Sequence, residues 1–104
     1  MGKILCNAFS LQMLDLDQVN RVCIEPIGTP ELKDDEFVSA VGHADTAATL
    51  ADTLGVSVPA NRVNVKLDAD TELIVAQLVG GRLPEGSTTL PEGFSFKFVR
   101  VTLQ

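Results

Sequence analysis

Histidine occurs once in these 104 residues and cysteine twice, with no Cys-x-x-Cys and no His-x-x-x-His spacing. So few imidazole and thiolate ligands disfavour a zinc-type centre, and no metal or other cofactor is expected. Cys6 and Cys23 fall inside apolar, strand-like runs, which predicts buried free thiols on neighbouring strands. No stretch of about 18 apolar residues exists to form a membrane-spanning helix, so no membrane partner is expected. The start Met1-Gly2-Lys3-Ile4-Leu5-Cys6 passes straight into a strand-like pattern without a long apolar leader, and the chain reads as cytoplasmic. Basic residues are also short, 8 Lys and Arg against 14 Asp and Glu, for a net charge of −6. Binding to duplex nucleic acid is driven by Lys and Arg, so a general duplex binder is disfavoured. Gly80-Gly81 lacks the Lys and Ser/Thr of a phosphate-binding P-loop. No cysteine stands beside a base, and no Ser-His-Asp order is defensible.

What is present suits one compact α/β domain over residues 1–104. Apolar residues make up 45%, enough for a globular core. A domain of this size has little room for a deep private pocket, which favours a subunit interface for any sizeable substrate. Lys3 to Phe9 reads as a first strand, Ser10 to Leu14 as a loop or single helical turn, and Val19 to Ile27 as an edge strand containing Pro26. Thr29-Pro30-Glu31 has the form of a helix start, predicting a helix that runs to about Val41 and stops at Gly42. Ala47, Leu50, Ala51 and Leu54 recur at helical spacing before Gly55, predicting a second helix from Ala44 to Leu54. Arg62 to Leu67 alternates strictly, with Val63, Val65 and Leu67 on one side, and reads as a strand. Glu72 to Val79 is nearly all apolar and reads as a central strand buried on both faces. Ser95 to Leu103 completes a mixed sheet of about five strands flanked by helices. No internal repeat, linker or low-complexity segment is read.

Several polar residues break these patterns. His43 lies at a Gly-His turn where a helix begins, beside free backbone N–H groups and the positive end of the helix dipole. That corner can bind an anion, and its imidazole can exchange a proton near neutral pH; a simple capping loop is the plainer alternative. Gln77 places an amide inside an apolar strand, where leaving it unsatisfied would cost about 1–3 kcal/mol. Arg62 begins a strand, and Arg82 and Glu85 occupy the glycine-rich loop after the central strand, where functional groups often sit. Each has an ordinary reading: Gln77 bonds a loop, Arg62 faces solvent, and Arg82 pairs with Glu85. Together with Asn7 and Ser10 they suggest one site at the strand and helix ends. Arginines and a helix start would hold phosphate, amides and hydroxyls would read a base or ribose, and the histidine with a carboxylate would handle a proton.

The blocks Asn7-Ala8-Phe9-Ser10-Leu11-Gln12-Met13-Leu14, Gly42-His43-Ala44-Asp45-Thr46, Asn61-Arg62-Val63, Gln77 and Arg82-Leu83-Pro84-Glu85-Gly86 follow the order and spacing of the viral anti-CRISPR ring nucleases. Nearly the whole chain resembles that family. The resemblance implies a homodimer that binds cyclic tetra-adenylate, the messenger of type III CRISPR complexes, across its two-fold axis. It implies metal-independent cleavage to linear di-adenylates by ribose 2′-hydroxyl attack, silencing the effectors the messenger activates. His43 would be the general acid, Glu85 would orient it, and Arg82 would bear on the phosphate. Asn7, Ser10, Gln12, Asp45, Arg62 and Gln77 would line the ring-binding surface. Asp45 departs from a short hydroxyl residue in those relatives, and Gln12 from an asparagine. A sponge or sensor that holds such a ring uncut is the alternative, and a protein-interaction surface a third reading.

Overall fold

Residues 2–18, 21–33 and 36–103 are described by the computed structural model. Among them, five strands form: β1 (Gly2–Cys6), β2 (Val22–Ile27), β3 (Phe37–Ser39), β4 (Thr71–Val79) and β5 (Ser95–Leu103). One α-helix, α1 (Ala44–Leu54), lies between β3 and β4, and Leu11–Met13 make a single 3-10 turn. The sheet runs β2-β5-β4-β1-β3. β1 is parallel to both β3 and β4, whereas β5 is antiparallel to β4 and β2. The sheet is therefore mixed, in one domain, as the sequence predicts.

β4 shows why the apolar run becomes the centre. Leu73, Ile74, Val75 and Ala76 are all buried, and successive side chains of a strand point to opposite faces. Ile74 and Ala76 join Leu5 and Phe98 in a core with Ala47 and Leu50 of α1. Leu73 and Val75 join Cys6 and Val101 in a second core, which Leu14, Val65 and Leu67 complete. One face is thus covered by a helix and the other by irregular chain.

The second cover corrects the predicted strand Arg62 to Leu67. Val65 and Leu67 are buried as the alternation demands, but the segment joins no ladder. Its partner is the 3-10 turn: Leu67 N–H donates to the Met13 carbonyl at 2.8 Å and Lys66 Nζ to the Gln12 carbonyl at 2.9 Å. Period two marks extended chain with one side buried, whether or not a neighbouring strand exists.

The predicted helix from Pro30 to Val41 is also absent, although Asp34 and Asp35 lie outside the described residues. In its place Phe37–Ser39 pairs with Lys3–Leu5 as an edge strand, so the sheet still numbers five. The sequence explains the outcome. Phe37 and Val38 favour a pleated surface, and acidic residues four apart (Glu31, Asp35) would repel along a helix. Leu32 is buried in the core under α1 without helical structure. β1 ends at Cys6, short of the predicted Phe9, and β2 begins at Val22, with Val19 outside the described residues. β2 is the edge strand that Pro26 predicts. The cysteines are not on neighbouring strands, because β5 and β4 separate β2 from β1. Cys6 is buried, which pushes its thiol pKa up against the smaller opposing effect of its hydrogen bond to the Ala8 carbonyl. Cys23 is half-buried.

Ser39 fastens the chain where it leaves β3. Its buried hydroxyl donates to the Pro59 carbonyl at 2.6 Å and accepts from Val41 N–H at 3.3 Å, while Asn61 Nδ2 donates to the Ser39 carbonyl at 2.7 Å. Ser39→Ala strands two backbone groups and should cost about 1–3 kcal/mol, seen in thermal melts as a drop of about 4–8 °C per kcal/mol; an unchanged melt would refute the assignment. A second anchor precedes β4, where Asp68 Oδ1 accepts from Thr71 Oγ1 at 2.7 Å and from Asp70 N–H at 2.9 Å. The Thr71 hydroxyl, then the Asp70 amide, holds this carboxyl below its ordinary range. A depressed folded-state pKa stabilises above the unfolded value and is lost on acidification through the folded one. The melting difference between wild type and Asp68→Ala should therefore be full above about pH 4 and shrink as pH falls further.

Candidate functional site

Cover runs out at the C-terminal end of β4. Gln77 and Val79 are exposed, and Gln77 Nε2 reaches no farther than the neighbouring Leu78 carbonyl at 3.3 Å. The expectation of burial on both faces fails at this residue, and with it the desolvation cost that made Gln77 conspicuous. An open cleft of about 940 Å³ lies here.

Two chain segments meet Gln77 across this cleft. The first is the start of α1. His43 is its N-cap in an extended conformation (φ −112°, ψ 128°), and its carbonyl accepts the first helical bond from Ala47 N–H at 2.9 Å. The imidazole makes no capping bond and is exposed. The helix thus begins where the sequence predicts, with the imidazole exposed beside its first turn. Asp45 and Thr46 follow in the first turn and also line the cleft.

The second segment is the loop after β4. Gly80 and Gly81 take φ of 120° and 132°, a region L side chains rarely adopt. At Gly80 there is also no room, because a β-carbon would lie 2.7 Å from the Gly93 carbonyl oxygen. The glycines turn the chain so that Arg82 and Glu85 reach the same cleft as His43. Among the described residues the ion pairs are those of Arg100 with Glu72 and Glu25, so the Arg82–Glu85 pairing considered above is not formed. The loop is fixed instead through its backbone: Gly86 N–H donates to Asp45 Oδ2 at 3.0 Å.

Of the nine residues singled out in the sequence, five share this cleft: His43, Asp45, Gln77, Arg82 and Glu85. Ser10 and Gln12 do not; they line a separate cleft of about 920 Å³ between the 3-10 turn and residues 63–67. Arg62 lines neither, but it stands between the two. Its side chain covers Gly42, immediately before His43, and its neighbour Val63 lines the second cleft. Asn7 sits half-buried just past β1 and lines neither cleft. No three His, Cys, Asp or Glu side chains cluster as metal ligands among the described residues. No helix among them is long and apolar enough to cross a membrane.

Sequence reading missed two features of the site. One is the Gly86 amide as the partner of Asp45, which no residue pattern announces. The other was legible: Leu-Pro-Glu-Gly occurs at residues 83–86 and again at 90–93, a short internal repeat. Both copies close the same turn, with Ser87 N–H on the Pro84 carbonyl and Phe94 N–H on the Pro91 carbonyl, and with glycines at φ 81° and 86°. The second copy supplies the Gly93 carbonyl that crowds Gly80.

A family model described as STIV B116-like matches residues 3–95. Uncharacterized protein 26 of Sulfolobus islandicus filamentous virus (isolate Iceland/Hveragerdi) is 38% identical over 55 residues, 53% of this chain and 46% of that protein. Uncharacterized protein ORF117 of Acidianus two-tailed virus is 41% identical over 56 residues, 54% of this chain and 47% of that protein. The matched segment thus spans about half the length of these curated relatives. The solved structure of B116 of Sulfolobus turreted icosahedral virus superposes with a TM-score of 0.76 at 22% identity, covering 98% of this chain and 99% of that one, a likeness of fold.

The loop geometry predicts a graded response to added β-carbons. Gly80→Ala combines a disfavoured φ with a backbone collision and should cost about 2–3 kcal/mol. Gly86→Ala meets open space and should cost about 1 kcal/mol from backbone strain alone. Chemical denaturation of the two variants distinguishes them, and equal losses would contradict the packing of Gly80 on Gly93.

Proposed function

The chain belongs to the STIV B116-like family, and on that premise we propose that it is a metal-independent ring nuclease. Its substrate is cyclic tetra-adenylate, bound across the two-fold axis of a homodimer and cut into two linear di-adenylates, which silences type III CRISPR signalling. The observation that carries this reading is the convergence of His43, Arg82 and Glu85 from two distant segments on one open cleft with Gln77. A pure structural cap has no need of that company.

The chemistry follows from the residues. A ribose 2′-hydroxyl attacks its own 3′-phosphate in line; the 2′-oxygen–phosphorus bond forms as the bond to O5′ breaks, leaving a 2′,3′-cyclic phosphate. The attacking hydroxyl gives its proton to solvent, and the leaving O5′ takes one from His43. Arg82 offers a planar guanidinium to the charge on phosphorus. Glu85 orients the imidazole, and the free N–H groups at the start of α1 add positive potential. Gln77 hydrogen-bonds a base or ribose edge. A two-fold ligand on a two-fold dimer asks for half a site from each protomer, which suits a small domain.

The test is incubation with cyclic tetra-adenylate in EDTA, with chromatography of the nucleotides. Wild type should release linear di-adenylate, and His43→Ala should be slowed by about 10²–10⁴-fold. Tight binding without products would mean a sponge, and no binding would sink the reading altogether.

A further inference from the structure

Asp45 stands among the residues that the family resemblance places against the ring, yet its carboxylate is already engaged. Oδ2 accepts the Gly86 N–H at 3.0 Å, joining residues 41 positions apart. The backbone carbonyl of Asp45 meanwhile accepts from Thr49 Oγ1 at 2.8 Å, which anchors it from within the helix. As a first-turn acid, Asp45 is also favoured by the positive end of the α1 dipole. A carboxylate so placed repels phosphate and attracts an N–H group.

We propose that Asp45 is a positioning residue that latches the loop of residues 80–86 onto the helical turn carrying His43. This rests on the ring-nuclease reading for its catalytic consequence, but not for the latch itself. Arg82 and Glu85 are exposed, so their packing does little to fix them. Their segment hangs between Gly80-Gly81 at one end and the Gly86 turn at the other. The glycine end is held by the close approach of Gly93, and the far end by Asp45. Because Asp45 is two residues from His43 in the same turn, the bond sets the arm that carries Arg82 and Glu85 relative to the imidazole itself.

Two readouts on Asp45→Ala and Asp45→Asn test it. Asparagine keeps an acceptor oxygen at the same reach and alanine removes it. Amide hydrogen exchange at Gly86, in the protein without nucleotide, should quicken by about fivefold or more in Asp45→Ala and stay near wild type in Asp45→Asn. For cyclic tetra-adenylate cleavage, Asp45→Ala should lower kcat by about 10- to 100-fold with little change in KM, and Asp45→Asn should restore most of it. Unchanged Gly86 exchange in Asp45→Ala overturns the latch. An asparagine variant as slow as alanine overturns it too, since charge would then be what matters. If Asp45→Ala does not fold, Asp45→Ser carries the same comparison with too short an acceptor. A wild type that cuts nothing while Gly86 still responds to the substitution would fell the nuclease reading and leave the latch standing.

Discussion

Burial of Leu73 to Ala76 on both faces of the sheet is the constraint from which the rest descends. Four consecutive apolar residues in a strand cannot be satisfied by one layer, because each neighbour points the opposite way. The helix covers Ile74 and Ala76, while Leu14, Val65 and Leu67 cover Leu73 and Val75 with chain that is neither helix nor strand. The second cover is why the 3-10 turn and residues 65–67 must meet, and their bonds to each other replace those a ladder would have supplied. Where this double cover ends, at Gln77, the strand emerges into a cleft. The site is thus where the core stops.

The electrostatics of that cleft bear on how an acidic protein would hold the anionic ligand proposed for it. Two carboxylates and one guanidinium face it, which by simple count is unfavourable. Asp45, however, sits in the first turn of a helix and accepts the Gly86 backbone N–H, so its charge is partly answered before any ligand arrives. What remains is Arg82, Glu85 and a free imidazole beside unpaired helix N–H groups. Under the proposed function such an arrangement would serve one phosphate at a time, and a distributed basic surface is not needed for that.

Much of this was legible in the residues. β4, β5 and α1 follow from apolar runs and helical spacing, and the Gly55 stop is a left-handed C-cap as its position predicts. Pro26 marks an edge strand correctly. The failures share one cause, since local pattern reports conformation and exposure but not partners. Thr29-Pro30-Glu31 has every local mark of a helix start, yet Phe37 to Ser39 gains more by pairing with β1. Arg62 to Leu67 alternates as a strand and is extended, but the neighbour it meets is a turn. For the site, residue chemistry located His43, Arg82, Glu85 and Gln77 in one cleft. It could not separate Ser10 and Gln12 into another, because that division depends on how the irregular cover folds. Asp45 was recognised as unusual; the amide it serves lies 41 residues away and has no side chain to betray it.

The two ends of the sheet carry a different consequence. Unpaired strand edges invite copies of a chain to zip together into aggregates. Here one edge is β2, where Pro26 has no N–H to offer and Glu25 carries charge into an ion pair with Arg100. The opposite edge, β3, is three residues long and turns at once into the Ser39–Pro59 and Asn61 bonds. Neither edge presents a long run of open hydrogen-bonding groups, so the exposed Ile24 of β2 and Val38 of β3 lie on strands poorly suited to pairing with a second copy of the sheet.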